Sequence, residues 1–289
     1  MQEPTPHSSR LALAGGLIAL LLVGGGGFLI GRTTAPKPPA PTSTATTPQP
    51  APPPPPAAIA PPPTLERAGL IDLVADAVDA ASASRPLPEA VRSAAGRRFD
   101  LVLPFGCEGL VDSDRTAPFG WQYDAAKTTL RVWINPTRWA RSAWFSAETE
   151  ADKAALEGFW IARPWSKATH CPASAPGGAA HVAVPSQSQG EVAIARFIEG
   201  DADKSARRLE IVKRMEPGDF DPARGFALRI IGRMQSVEAG GPVQCLQRTG
   251  WQQRPQCMIV GDFAELRVEN PKTGDVLAVW SISGTTQRD

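Results

Sequence analysis

The stretch at residues 97–103, RRFDLVL, marks the point where the sequence changes from a helical to a strand pattern. Phe99, Leu101 and Leu103 alternate with other residues, and this period of two is typical of a β-strand with one buried face. Many short runs of strand character follow, separated by turn residues. We therefore expect residues 97–289 to form a mainly β domain, an antiparallel β-sandwich or open barrel.

Further strands are expected in several runs of the same domain. They are residues 130–134, 159–162, 181–184, 192–198, 208–213, 226–231, 257–263, 266–268 and 276–282. Turn residues predict hairpins at Gly200–Asp203 and Asn270–Asp275, and one helix is predicted at residues 147–156. Residues 172–190 are turn-rich and offer a possible subdivision, although we expect one domain with a long loop.

The residues before this domain predict a helical lead-in over 65–96. Thr64 is a candidate cap for a helix that runs to Ala81, and a second short helix is expected to end at Gly96. The first helix is amphipathic. Its expected buried face is Leu70, Leu73, Val74, Ala77, Val78 and Ala81, opposite Asp72, Asp76 and Asp79.

The N-terminal region predicts a membrane anchor. Residues 11–31 are apolar and free of charge, and twenty helical residues rise about 30 Å, the thickness of a bilayer's hydrocarbon core. A cleaved signal peptide is the alternative. Gly27 and Gly31 form a GxxxG pair, which lets two helices pack closely and predicts a possible homodimer. Residues 1–10 are then a cytoplasmic tail.

Residues 32–64 predict a spacer. Residues 31–64 hold 14 of the 30 prolines, and the spacer has almost no large apolar side chain. Such a composition favours a disordered, extended chain of polyproline II character. At about 3.1 Å per residue it reaches roughly 100 Å.

The domain has four cysteines, and because this number is even, all of them can pair. We therefore expect disulfides and an oxidising compartment. Cys245 and Cys257 are close in sequence and flank a turn-rich loop, so we expect them to pair, and Cys107 to pair with Cys171. Free thiols, and a metal site formed by His170, Cys171 and His181, remain alternatives, but the close cysteine pairs typical of zinc sites are absent. No metal is expected.

The charge balance and the lack of catalytic motifs favour neither an enzyme nor a nucleic-acid-binding protein. Residues 65–289 carry 27 basic and 28 acidic side chains, which does not favour nucleic acid. No nucleophile elbow, phosphate loop or dinucleotide motif occurs, so no cofactor is expected and catalytic residues stay unknown. An envelope enzyme would depend on His170 or His181.

Tryptophans are the most distinctive feature of the domain, since six of eight lie between residues 121 and 165. Trp and Arg are the residues that anchor interfaces, which makes five residues candidates for a protein or glycan surface. They are Trp133, Trp139, Trp144, Arg138 and Arg141. The alternation of its strand predicts Trp133 outward or toward a second layer. Packing of these side chains inside the fold is the alternative.

These observations predict a binding or scaffold module of the bacterial cell envelope. Its N-terminus lies in the cytoplasm, one helix spans the inner membrane, and the C-terminal domain lies in the periplasm. The order of span, Pro-rich spacer and compact domain resembles that of TonB-type energy transducers in arrangement only, without a shared motif. A peptidoglycan-acting hydrolase, or a subunit of a secretion or division machine, is the alternative.

Overall fold

A computed structural model of the protein describes residues 62–107, 116–145, 154–172, 191–199, 208–237, 240–247 and 254–282. They belong to one compact unit, Ala60–Asp289. The predicted span at residues 11–31, nearly all of the spacer, and residues 173–190 lie outside the described residues. Among the described residues, none of the helices has the length and apolar character needed to cross a membrane.

The helical lead-in consists of helix α1, Arg67–Ser82, and helix α2, Glu89–Arg92. Helix α1 buries the predicted apolar face except Ala81, which is half-buried, and exposes its three aspartates. Thr64 does not cap it. The preceding residues instead form a short strand β1, Leu65–Glu66, which pairs in parallel with Phe99 and Asp100 and buries Leu65. Because these backbone groups join the sheet, the helix begins only at Arg67.

The rest of the described chain is mainly β. Its strands are β2 (Arg98–Phe105), β3 (Phe119–Asp124), β4 (Thr129–Ile134), β5 (Thr137–Ala140), β6 (Ala154–Trp160), β7 (Val192–Glu199), β8 (Leu209–Arg214), β9 (Phe226–Met234), β10 (Val243–Leu246), β11 (Gln256–Glu269) and β12 (Val276–Ser281). Within the described ranges these strands form two sheets, which is consistent with a β-sandwich.

Strand β11 organises the larger sheet because it serves two groups of strands. Its first part, around residues 257–260, lies between β7 and β10. Its second part, around residues 265–269, lies between β9 and β12. A register shift between Phe263 and Glu265 separates the two parts. The two runs expected at 257–263 and 266–268 are therefore one strand with an irregularity.

The larger sheet is mixed: most of its strand pairs are antiparallel, as expected, but for two pairs that expectation is wrong. Strand β7 pairs in parallel with β11, and β1 with β2. The hairpin predicted at Gly200–Asp203 is also wrong, because β7 belongs to the large sheet and β8 to the small one. Alternation indicates a strand, but it does not indicate its partner.

The turn predicted at Asn270–Asp275 is confirmed. It joins the antiparallel strands β11 and β12, and Asn270 N–H donates to the Asp275 carbonyl at 2.9 Å. Gly274 has φ +78°, a conformation that favours glycine. The side-chain amide of the buried Asn270 donates to the Asp219 carbonyl at 2.7 Å and so ties this turn to the preceding chain.

The small sheet has the order β3-β4-β8 and shares one core with the large sheet. Trp121, Leu130 and Ile134 from the small sheet lie in the same buried cluster as residues of β9 and β11. The helix predicted at residues 147–156 is wrong from Ala154 onward. These residues belong to β6, which pairs with β5 on one side and β7 on the other, and that pairing outweighs local helix propensity.

Candidate functional site

Two disulfides are present, in the pairing that the sequence favours. Cys107 and Cys171 lie 5.4 Å apart between Cα atoms, and Cys245 and Cys257 lie 4.1 Å apart. No cysteine in the described ranges is free. Two such bonds in one domain are typical of an oxidising, extracytoplasmic compartment.

Trp133 is completely buried rather than exposed. Its indole covers Gly120, the residue directly opposite on β3. A Cβ at Gly120 would come within 2.2 Å of the ring, so glycine is the residue that permits this packing. Trp133 therefore lies toward packed protein, the second of the two orientations expected from its strand.

Three other candidate residues lie in a second apolar cluster on one face of β6 and β7. Trp139 meets Trp160 edge to face at 5.4 Å between centroids, and the buried Trp144 lies 6.4 Å from Trp160. The guanidinium carbon of Arg141 lies 5.9 Å and 5.5 Å from two ring centroids, those of Phe145 and Phe197. These contacts match the alternative of packing inside the fold.

Arg138 lies apart from that cluster. Its Nε donates to Glu157 Oε2 at 3.0 Å across the β5–β6 pair. The structure thus does not bring the five candidates together on one surface. Gly27 and Gly31 of the predicted helix interface lie outside the described residues.

Trp165, which the sequence reading did not select, is the most exposed large apolar side chain among the described residues. Its exposed fraction is 71%. It belongs to residues 161–172, which we call the Trp165 segment and which contains no strand or helix. One sequence feature could have indicated that Trp165 is exposed. It follows Pro164 in a short turn-rich run and belongs to no alternating pattern.

The Arg67 side chain holds the Trp165 segment in place through hydrogen bonds to its backbone. Its guanidinium is 1% exposed, and its Nε donates to the Ser166 carbonyl at 3.0 Å. Nη2 donates to the carbonyls of Ala162 and Arg163 at 3.0 Å and 3.3 Å, while Nη1 donates to Val102 in β2 at 3.1 Å. One side chain therefore links three residues of the segment to the sheet.

The electrostatics of Arg67 leave it a cation at neutral pH. Burial, and to a smaller extent the nearby positive charge of Arg163, together lower the pKa of Arg67 to about 10. The carbonyl acceptors supply the compensation that a buried cation requires. Its role is positional, because every hydrogen bond described for it goes to backbone.

Two further links hold the same segment. Lys167 Nζ lies 2.7 Å from Asp72 Oδ1 on helix α1, and Cys171 is bonded to Cys107 at the end of β2. Arg163 has φ +52°, a left-handed conformation that is costly without surrounding contacts. The Trp165 side chain is therefore presented by a backbone that is fixed on both sides of it.

A cleft of about 390 Å³ adjoins the segment and contains the one histidine within the described ranges, His170. Asp100 and Glu269 also line it, and both accept from Arg229, at 2.8 Å and 2.7 Å. Arg229 forms ion pairs with both of these carboxylates, and Glu66 is the other acidic residue of the lining, so His170 is the one imidazole in the described lining that could serve acid–base chemistry. His181 lies outside the described residues.

Metal ligation finds no support in the same ranges, which contain no group of three or more His, Cys, Asp or Glu side chains placed to hold an ion. Comparisons of the whole chain with protein-family models, with curated proteins and with solved structures find no match.

Proposed function

We propose that the protein is a binding or scaffold module of the bacterial cell envelope that captures its partner through Trp165. The observation that carries this proposal is a fixed backbone presenting a tryptophan with an exposed fraction of 71%. Trp is among the side chains that most often dominate binding energy at interfaces.

The fixed backbone supports binding because ordering a loop on association costs free energy. Arg67, Lys167 and the Cys107–Cys171 bond hold the segment before any partner arrives. Binding to Trp165 then loses little backbone freedom. The partner we propose is a protein or a glycan, since an indole face stacks on either.

We further propose that residues 11–31 anchor the module in the inner membrane, with the N-terminus in the cytoplasm and the domain in the periplasm. The disulfides support the outward placement of the domain. The spacer at residues 32–64 gives the domain a reach of roughly 100 Å, and pairing through Gly27 and Gly31 would make the module a homodimer.

The test is site-specific photocross-linking in intact cells. We expect a chain with p-benzoylphenylalanine in place of Trp165, which keeps an aromatic face at this position, to give a discrete adduct on illumination. The matched control carries the same group at Val279, which is also exposed (51%) but lies on β12. Equal adducts from both positions, or none from position 165, would contradict the proposal.

An envelope enzyme is the second candidate function, favoured by the His170 cleft alone. His170→Ala abolishes the cellular phenotype of an enzyme that uses this histidine and leaves that of a binding module intact. Peptidoglycan release by the purified full-length chain, compared between wild type and His170→Ala, separates the two.

A further inference from the structure

The guanidinium of Arg163 lies against the sulfur of a disulfide. Its Nη2 donates to Cys107 Sγ at 3.5 Å, and among the described residues this is the one hydrogen bond that the half-buried Arg163 side chain makes. A disulfide sulfur is neutral and a weak acceptor. The positive charge of Arg163 also acts on Arg67, where it adds to the effect of burial in lowering the pKa. Within the described ranges, the Arg163 cation therefore has no anionic partner.

Reduction of the Cys107–Cys171 bond would supply that partner. A cation beside a cysteine stabilises the thiolate relative to the thiol. A disulfide whose reduced form is stabilised in this way is easier to reduce. Because Arg163 contacts the sulfur of Cys107, the thiolate forms at Cys107 and accepts from the guanidinium as a charge-assisted hydrogen bond.

The backbone around the two disulfides differs in how firmly it holds the sulfurs together. Cys245 and Cys257 lie directly opposite each other on β10 and β11, and Cys257 is completely buried. When that bond opens, the paired strands keep both thiols in place, which favours closing it again. In the Trp165 segment, the hydrogen bonds and the ion pair described above end at Lys167, four residues before Cys171. Cys171 can therefore separate from Cys107.

We propose that the Cys107–Cys171 bond is a redox-active site, which a dithiol reductant of the cell envelope opens and a disulfide oxidant closes. This redox step does not depend on a partner of Trp165. Its consequence, that reduction releases the far end of the segment and weakens binding through Trp165, rests on the function proposed above.

The chemistry consists of two thiol–disulfide exchanges. One thiolate of the reductant attacks Cys107 Sγ, because Cys107 is half-buried whereas Cys171 is only 7% exposed. The bond between Cys107 and Cys171 breaks, and its electron pair goes to Cys171 Sγ, which takes a proton from water. The second thiolate of the reductant then attacks the reductant's own sulfur in this mixed disulfide, and Cys107 leaves as a thiolate beside Arg163. The reductant is oxidised to a disulfide by two electrons, and both cysteines are reduced.

A redox titration of the full-length chain in detergent tests the proposal. The chain is equilibrated with mixtures of reduced and oxidised dithiothreitol, and differential alkylation with mass spectrometry measures the reduced fraction of each bond. We expect Cys107–Cys171 to be half-reduced at a ratio of reduced to oxidised reagent about tenfold lower than Cys245–Cys257, the value of one charged hydrogen bond. Half-reduction of both bonds at the same ratio would overturn the proposal.

Variants at position 163 separate the cation from general effects on folding. Arg163→Gln is expected to raise the ratio that half-reduces Cys107–Cys171 about tenfold, and Arg163→Lys to recover part of the wild-type value, because it keeps the charge. The exposed control Arg98→Gln should change nothing. Cys245–Cys257 in the same molecules reports any loss of folding and should titrate as in wild type. An Arg163→Gln chain that titrates like wild type, or one in which both bonds shift equally, would refute the role of Arg163.

Trapping the mixed disulfide tests which sulfur is attacked. A thioredoxin whose second active-site cysteine is replaced by serine completes only the first exchange, so the covalent adduct accumulates. Peptide mapping of the adduct on the full-length chain is expected to place it on Cys107. An adduct on Cys171 or Cys245 in place of Cys107 would contradict the proposed step.

Discussion

The two disulfides occupy very different surroundings within one domain. Cys245 and Cys257 are 12 residues apart and lie directly opposite each other on β10 and β11, where backbone pairing already holds the chain. Cys107 and Cys171 are 64 residues apart, and Cys171 lies near the end of the Trp165 segment, which contains no strand and is joined to β7 at its first residue, where Ile161 N–H donates to the Val192 carbonyl at 2.9 Å. The first bond reinforces a sheet. The second fixes the far end of an irregular segment that contains no strand.

The largest expected effect follows from removing the long-range bond. Cys107→Ser with Cys171→Ser should lower the free energy of unfolding by about 4 kcal/mol, because the bond closes the longer loop of the unfolded chain. It should also raise amide hydrogen exchange in the Trp165 segment. Denaturant titration and hydrogen-exchange mass spectrometry measure the two effects.

If this double variant kept the exchange protection of residues 161–172, the claim that the Cys107–Cys171 bond fixes the segment would be wrong. The segment would then be held fully by its other contacts.

Arg67 gives the next largest effect. Arg67→Met should lower the free energy of unfolding by about 3 kcal/mol, since it removes hydrogen bonds from a charged donor and leaves buried carbonyls unsatisfied. Arg67→Lys should recover only part, because an ammonium does not span the same four acceptors. Arg85→Met, at an exposed site after helix α1, is the control and should be nearly neutral.

Equal stability losses at positions 67 and 85 would show that the buried guanidinium does not hold the segment.

The short-range bond is expected to matter somewhat less and to act elsewhere. Cys245→Ser with Cys257→Ser should cost about 2.8 kcal/mol by the same loop-closure relation. Exchange in the Trp165 segment should stay at its wild-type level, because this bond joins strands β10 and β11 and no residue of the segment takes part in it. Increased exchange in residues 161–172 of this variant would contradict the claim that only the Cys107–Cys171 bond fixes the segment.

The exposed ion pair gives the smallest effect. Lys167 and Asp72 are 55% and 60% exposed, so Lys167→Ala should change the free energy of unfolding by at most about 0.5 kcal/mol. Thermal unfolding at low and high salt measures it. A loss larger than that of the Arg67→Met chain would mean that this pair, rather than Arg67, is the main attachment of the segment.

The sequence predicted those parts of the fold that local patterns encode. The runs at residues 192–198 and 226–231 are strands, as their apolar and β-branched residues between turn-rich stretches predict, and the turn at Asn270–Asp275 follows from its own residues. The sequence did not indicate which strands pair with one another. Pairing of β7 with β11 joins chain segments far apart in sequence, and burial between two neighbours placed residues 154–156 in a strand.

The candidate site was predicted less well for a related reason. The alternation of its strand left Trp133 facing outward or toward a second layer, and it is buried because Gly120 leaves space for its ring. Trp165 is exposed because Arg67, a residue 98 positions earlier, holds the backbone beneath it. Both outcomes depend on contacts between distant residues that no local window contains. The cysteine pairing was predictable because the sequence left few arrangements.

Cross-linking from position 165 in cells that lack one disulfide or the other tests the central claim most directly. If Trp165 binds its partner from a segment held by Cys107–Cys171, the adduct yield should fall about tenfold in the Cys107→Ser, Cys171→Ser chain, the effect of losing roughly 1.4 kcal/mol of pre-organisation. It should stay unchanged in the Cys245→Ser, Cys257→Ser chain at equal protein level. Equal yields from the two chains, or no adduct even in the chain with both bonds, would contradict it.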